Sequence, residues 1–310
     1  MKNLIAAAAF LAVGTVGAQE LKYGDLNYFY KKGQLDAGVA VDMLHEGQRI
    51  NNVKFYSLGY IGSAKATYGV MDTVNAFVQT EYAYELNTDN GDSKSRSFNS
   101  DGVRNISLGA DYRLYNQNAH LFNLDVGAVV KAPIEDAVRG NYVGGIQDGN
   151  YADSSNTVEV HARAGRKWDL ANEVFFLAGI VYNMDGELTQ KESGAADTQI
   201  DYDSSIDYKL SANYQWRPVN TFMTGFGIGA TYFGEKKAST SPSNPKFNGT
   251  QESHLDFNFT FAAKYLVTDH MIVSLNMMNS VLADYDVSAQ IESTKRTSYG
   301  YSFGVNYLFE

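Results

Sequence analysis

Several common structural devices are missing from this 310-residue sequence. It has no cysteine, which excludes a disulfide framework, a thiolate metal site and a cysteine nucleophile. It has only four prolines, as suits a chain of paired strands, because proline cannot donate to a strand ladder. After residue 18 no apolar run is long enough for a transmembrane helix. The formal net charge of −10 makes nucleic acid an unsuitable partner.

The first eighteen residues have the pattern of a secretory signal. Lys2 precedes an apolar run from Leu4 to Val16, and small residues precede a cleavage point after Ala18. The run is too short to span a membrane, so the sequence predicts a signal peptide over residues 1–18.

Alternation of apolar and polar residues is the main local pattern, and it is clearest from Ile206 to Phe233. There Tyr208 and Leu210 share one face with other apolar residues, while Asp207 and Lys209 share the other. A period of two over about 11 residues, with aromatics at the ends of the apolar face, is typical of a tilted strand that crosses a membrane. The stretch predicts one transmembrane hairpin.

This pattern repeats along the chain. Aromatic residues that precede a short turn recur 42 to 56 residues apart, at Tyr68, Tyr112, Trp168, Trp216, Tyr265 and Tyr307. The five predicted short turns are Gly69–Asp72, Tyr115–Ala119, Asp169–Glu173, Pro218–Asn220 and Val267–Asp269. Longer polar segments lie near 45–52, 87–101, 134–155, 187–204, 235–252 and 285–296.

Short turns that alternate with long loops predict an all-β fold, a transmembrane antiparallel up-and-down β-barrel. Without helical spans a membrane protein must be a closed barrel, because open sheet edges are not tolerated in lipid. Five turns and six loops require twelve strands; ten and fourteen stay open, since the registers of 53–65 and 174–185 are uncertain. The barrel domain is placed at residues 34–310. Residues 19–33 are expected to form a periplasmic N-terminal lead-in that docks against the barrel.

The last strand carries a family resemblance. Tyr299, Tyr301, Phe303 and Tyr307 alternate with smaller or polar residues up to Phe309. This stretch resembles the C-terminal signature of bacterial outer-membrane β-barrels, although Glu310 makes the final aromatic penultimate. The resemblance implies a porin-like or channel-like protein in the outer membrane of a Gram-negative cell. It also implies that outer-membrane lipid, lipopolysaccharide and the barrel-assembly machinery are partners, the last through Tyr299–Phe309.

The interior face is expected to carry charges of both signs. The predicted pore-lining residues are Asp111, Arg113, Glu159, His161, Arg163, Asp207, Lys209, Asp256 and Lys264. Such a lumen predicts a narrow path with weak ion selectivity; ordinary solvated interior charges are the alternative.

A basic residue also recurs near the short turns. Its positions are Lys65, Arg113, Lys167, Arg217 and Lys264. They indicate either a cationic rim at the periplasmic mouth or simple solvation of surface charges.

No catalytic residues, cofactor or metal ligands are predicted, and the chain is not expected to be an enzyme. The polar segment 87–93 crowds carboxylates and amides but lacks the ligand spacing of a calcium loop. Three functions are considered: a channel for small solutes, a structural or adhesive barrel with partner-binding extracellular loops, and an outer-membrane hydrolase. The third is disfavoured, because no histidine and serine fall together on the lipid-facing wall.

Overall fold

The structure is a computed structural model that describes residues 21–50, 53–89, 96–141, 148–150, 153–192, 197–241, 248–283, 285–288 and 291–310. The predicted signal peptide lies outside these residues, as do 90–95, which include part of the polar segment 87–93. Within the described ranges, no helix has the length and hydrophobicity that crossing a membrane requires. The sheet in these ranges consists of antiparallel strands with a few short parallel pairings.

Twelve long strands form the wall, as the sequence predicts. They are β1 Leu35–Ile50, β2 Val53–Met71, β3 Val74–Asp89, β4 Arg96–Tyr115, β5 Asn123–Ala132, β6 Ser155–Lys167, β7 Asn172–Glu192, β8 Ser205–Val219, β9 Phe222–Phe233, β10 His254–Thr268, β11 Met271–Leu282 and β12 Ile291–Phe309. Each wall strand pairs with its neighbours in sequence.

The first and last strands close the barrel. Leu35 of β1 pairs with Phe309 of β12, and the antiparallel register continues to His45 opposite Tyr299. Closure leaves no open edge, which is the condition for a sheet to lie in a bilayer. The C-terminal strand that resembles an outer-membrane signature therefore completes the wall.

The two faces of the wall are chemically distinct. Val39, Leu210 and Phe303 are more than half exposed on the outside. They are examples of a band of apolar side chains that surrounds the barrel. On the same strands Asp36 and Asp207 are buried inside. Because successive side chains of a strand point to opposite faces, the sequence alternation produces a lipid-facing exterior and a polar interior.

The five short connections overlap the predicted turns, with bounds shifted by up to three residues, and they lie at one end of the barrel, called here the short-turn end. The opposite end differs from the prediction. Segment 45–52, predicted as a loop, belongs largely to β1 and β2, which stay paired as far as Ile50 and Val53. Strand pairing continues there because an antiparallel ladder satisfies backbone groups as well in water as in lipid.

Six shorter strands extend this taller end. They are Ala137–Asn141, Asp148–Asn150, Thr198–Tyr202, Lys236–Ser241, Gly249–Gln251 and Tyr285–Ser288. They occupy parts of the segments predicted as long loops and pair with one another or with the wall.

Candidate functional site

Residues 21–33, called here the plug, lie inside the short-turn end of the barrel. The Tyr23 hydroxyl donates to Asp36 on β1 at 2.5 Å. The Leu26 backbone N–H donates to Glu173 on β7 at 2.6 Å. In a ring of twelve strands β1 and β7 face each other, so the plug crosses the lumen from one wall to the other.

Asp25 is the main anchor of the plug. Its carboxylate contacts the Lys167 ammonium at 2.6 Å and the Arg217 guanidinium at 2.7 Å. The Asp25 side chain is only 1% exposed. A buried carboxylate is stable only when charge and hydrogen bonds compensate for its lost hydration, and here two cations provide this compensation.

Arg113 holds the middle of the plug. Its guanidinium forms a two-bond pair with Asp125, at 2.7 and 3.0 Å, and donates to the Asn27 carbonyl at 2.9 Å. It also lies 4.4 Å from the centre of the Phe29 ring, a favourable cation–π distance. One arginine thus joins two wall strands to the plug.

Gly24 allows the plug to turn against the wall. Its φ of +90° lies in the region that favours glycine, and a Cβ there would come within 2.9 Å of the Ile272 side chain. Beside this turn Tyr23, Ile272 and Leu308 form a small buried apolar cluster. Ile272 and Leu308 are apolar residues on a largely polar interior face, and with the buried Met223 they mark where the plug rests.

Two tyrosines of the plug share one carboxylate. The Tyr23 and Tyr30 hydroxyls donate to the two oxygens of Asp36 at 2.5 and 2.9 Å. Burial raises the pKa of both phenols well above the ordinary value, and the nearby Asp36 charge adds to the effect. Both hydroxyls therefore remain protonated donors in neutral and moderately alkaline solution.

The five recurring basic positions converge on this region, but most do not form a solvated rim. Arg113, Lys167 and Arg217 have almost no solvent exposure and bind the plug or its wall partners. Lys264 lies 3.4 Å from the Gly24 carbonyl. Lys65 lines a neighbouring cavity. The sequence shows that these bases recur; it does not show the plug that buries them.

The structure places all nine predicted pore-lining residues on the interior face. That they line an open path stays a prediction. The nine residues differ in their position along the barrel axis and in the groups that they contact. Arg113 and Lys264 lie at the plug. The other seven are Asp111, Glu159, His161, Arg163, Asp207, Lys209 and Asp256.

A charge network lies beyond the plug. Asp111 contacts His161 Nε2 at 2.8 Å and the Arg163 guanidinium at 3.2 Å. Gly127 faces this pair, and a Cβ there would come within 2.6 Å of His161 Nε2. A side chain at position 127 would therefore displace the network.

Glu159 lies on β6, the strand that also carries His161 and Arg163. Its carboxylate pairs with the Lys209 ammonium of β8 at 2.9 Å. The Lys209 side chain is 39% exposed and that of Glu159 is 18% exposed. This bridge places both signs of charge at one level of the lumen, and the narrow path expected there stays a prediction.

Asp207 and Asp256 serve the wall itself. Asp207 accepts from Asn183 Nδ2 at 2.8 Å and from the Gly234 backbone N–H at 3.0 Å. Asp256 accepts from the Ala283 backbone N–H at 2.9 Å. Both carboxylates satisfy donors near the taller end, so they are less available to a solute than Glu159.

A cavity of about 300 Å³ separates the plug from the charge network. Its lining combines four aromatic side chains with acids and bases from the plug and five wall strands; the residues used below are Tyr30, Asp36, Lys65, Phe77, Asp111 and Arg163. Within the described ranges no group of three or more histidine, aspartate or glutamate side chains is placed to hold a metal ion. The lining of the cavity offers hydrogen-bonding and charged groups.

Several important residues were not among the predicted pore-lining set. Asp25, Asp36, Asp125 and Glu173 hold the plug or its partners. The available signal was the alternation of Tyr23, Asp25, Asn27 and Phe29, all buried, within the lead-in. That run is short, and its partners lie far away in sequence.

Known structures share this architecture. An outer-membrane channel from Pseudomonas putida F1 matches with a TM-score of 0.60 and 13% identity, over 94% of this chain and 100% of that one. The transport unit of the autotransporter AIDA-I from Escherichia coli matches at 0.59 and 11%, over 97% of each chain. The translocator domain of the autotransporter NalP from Neisseria meningitidis matches at 0.50 and 11%, over 99% of this chain and 93% of that one.

No protein-family model matches the sequence, and no curated protein matches it. At these identities the structural matches show the fold. With the closed twelve-stranded wall and its apolar exterior, they make the chain an outer-membrane β-barrel.

Proposed function

We propose that this protein is a narrow, weakly selective channel for small solutes, closed at its short-turn end by the plug. The observation that carries the proposal is the interior, where charged and polar side chains surround a cavity of about 300 Å³. Barrels of eight strands are filled by side chains and those of sixteen to eighteen leave a wide water channel, so twelve strands suit a narrow path.

The plug is suited to release because ionic and hydrogen-bonded contacts dominate its seat. Asp25, Lys167 and Arg217 lose hydration when they pair, and they regain water when the plug leaves the lumen. Pairing and hydration of buried ions nearly balance. A seat built in this way allows the plug to be released with exposure of the small apolar cluster of Tyr23, Ile272 and Leu308.

A structural or adhesive barrel is the second candidate, and the crossing of the lumen by the plug favours it. In that case the taller end would bind a partner and no solute would pass. The proposed outer-membrane contacts are the same in both cases: lipid and lipopolysaccharide around the wall, and the assembly machinery at Tyr299–Phe309.

Planar-bilayer recording of the refolded protein tests the proposal. A channel with a plugged mouth should give small conductance steps with weak preference between cations and anions. Folding is checked on the same sample, because a closed barrel migrates faster on a gel before boiling than after. If the folded protein gives no current, neither as wild type nor in a variant whose plug is released, the structural barrel is favoured.

A further inference from the structure

In the cavity above the plug, the carboxylates already accept hydrogen bonds or ion pairs from protein groups. Asp36 accepts from the Tyr23 and Tyr30 hydroxyls and from Asn306 Nδ2. Asp111 is held by His161 and Arg163. Asp25 is likewise bound by its two cations, so these carboxylates have little remaining capacity to bind a cation.

The bases that line the same cavity retain donors. Lys65 forms no ion pair with any described residue, and its side chain is solvent-accessible inside the lumen. Its ammonium lies 4.5 Å from the centre of the Phe77 ring. Among the described groups Arg163 donates to Asp111 and Asp125 through Nη2 alone, and its side chain is 31% exposed, so the guanidinium keeps a further N–H donor. An anion in the cavity would satisfy these donors.

We propose that this cavity binds a small organic carboxylate, with the Lys65 ammonium as its main contact and Arg163 as a second donor. Phe77 and Tyr30 offer ring faces and edges to the body of the ligand. Small-molecule pockets begin near about 300 Å³, so the cavity admits one small molecule and excludes a polymer. The proposal rests on the proposed function, because it takes the cavity as part of the solute path.

Calorimetric titration of the full refolded chain in detergent tests this binding site, with benzoate as the probe. Benzyl alcohol has a similar ring without charge, and benzamidine has a similar ring with the opposite charge. Wild-type protein should bind benzoate saturably at one site and more tightly than either control compound. Lys65→Met and Lys65→Gln should each weaken benzoate binding at least about tenfold, the loss expected for one charged hydrogen bond.

Lys131→Met is the matched control, because Lys131 also faces the interior but does not line the cavity. It should leave benzoate affinity unchanged. Equal affinity in wild-type protein and both Lys65 variants would overturn the proposal, as would a lack of saturable binding or equal binding of benzyl alcohol. Since titration requires no current, a folded protein that binds benzoate but never conducts would refute the channel and leave the binding site standing.

Discussion

At the short-turn end, the paired side chains of Asp25, Lys167 and Arg217 are at most 5% exposed, whereas in the Glu159–Lys209 pair the lysine is 39% exposed. Both regions consist of acid–base pairs of similar length on the interior of one barrel. Burial gives them different roles: the first fixes the plug in position, and the second remains in contact with water where a solute would pass. Charge type alone therefore does not identify a pore-lining residue.

The largest expected effect is loss of one cation from the plug seat. Arg217→Met leaves the buried Asp25 carboxylate with one cation, Lys167, beside the Lys22 backbone N–H, which should cost about 3–5 kcal/mol of plug seating. Hydrogen exchange at the Leu26 amide, which donates to Glu173, should become at least about 100-fold faster.

Lys209→Met is the comparison at the half-exposed pair. It should change Leu26 exchange by less than about tenfold, because exposed ion pairs contribute about 0–1 kcal/mol. Similar exchange in both variants would remove the distinction between the two regions.

A second expected effect concerns the wall that supports both regions. Arginine in place of Phe259, which faces lipid, should cost about 2–4 kcal/mol of barrel stability. Asn258→Arg on the interior face should be tolerated better, as measured by urea unfolding in detergent. Gly227→Arg is a poor control, because its Cβ would clash with Asn213 and Thr260. Equal losses at positions 258 and 259 would contradict the assigned faces.

A smaller effect is expected on selectivity. Neutralising Glu159 and Asp207 together, by E159Q and D207N, removes two negative charges from the interior and should shift the reversal potential toward anions. Glu159 should account for most of the shift, because Asp207 is already bonded to Asn183 and Gly234. If D207N alone shifted the reversal potential more than E159Q alone, the expected order of the two residues would be wrong.

The smallest effect is expected from alkaline pH. The pKa values of Tyr23 and Tyr30 are higher in the folded protein than in an unfolded chain, where a phenol titrates near about 10. Their contribution to stability is thus fully present below about pH 10 and is lost only as the pH rises through the folded values. Leu26 exchange between pH 7 and 10, corrected for its intrinsic rate, should stay constant. Release of the plug over that interval would show that these hydroxyls do not hold it.

The sequence predicted what depends on local periodicity. Alternation identified Phe259 as outward and Asp256 as inward, and the spacing of aromatics before short turns gave twelve strands. It failed where pairing continues beyond the membrane, since residues 45–50 form strand although they lack a lipid-facing pattern. Hydrogen bonding, which drives that extension, leaves little trace in composition.

The plug could not be predicted because its contacts are non-local. Asp25 and Lys167 are 142 residues apart, and no periodic pattern relates them. β6 and β8 pair with opposite edges of β7, which places their bases near each other at the short-turn end, so they can share one carboxylate. The recurrence of a base near each short turn was visible in the sequence, but its acidic partner Asp25 lay in a segment for which the sequence predicted only docking against the barrel.

Single-channel conductance of Asp25→Ala beside wild-type protein tests most directly whether the plug closes a solute path. Asp269→Ala is the matched control, because it removes an exposed acid from a turn at the same end. Release of the plug should give larger or more frequent openings in Asp25→Ala, with wild-type behaviour in Asp269→Ala. Unchanged conductance in Asp25→Ala, with fast Leu26 exchange proving that the plug has left its seat, would contradict the account.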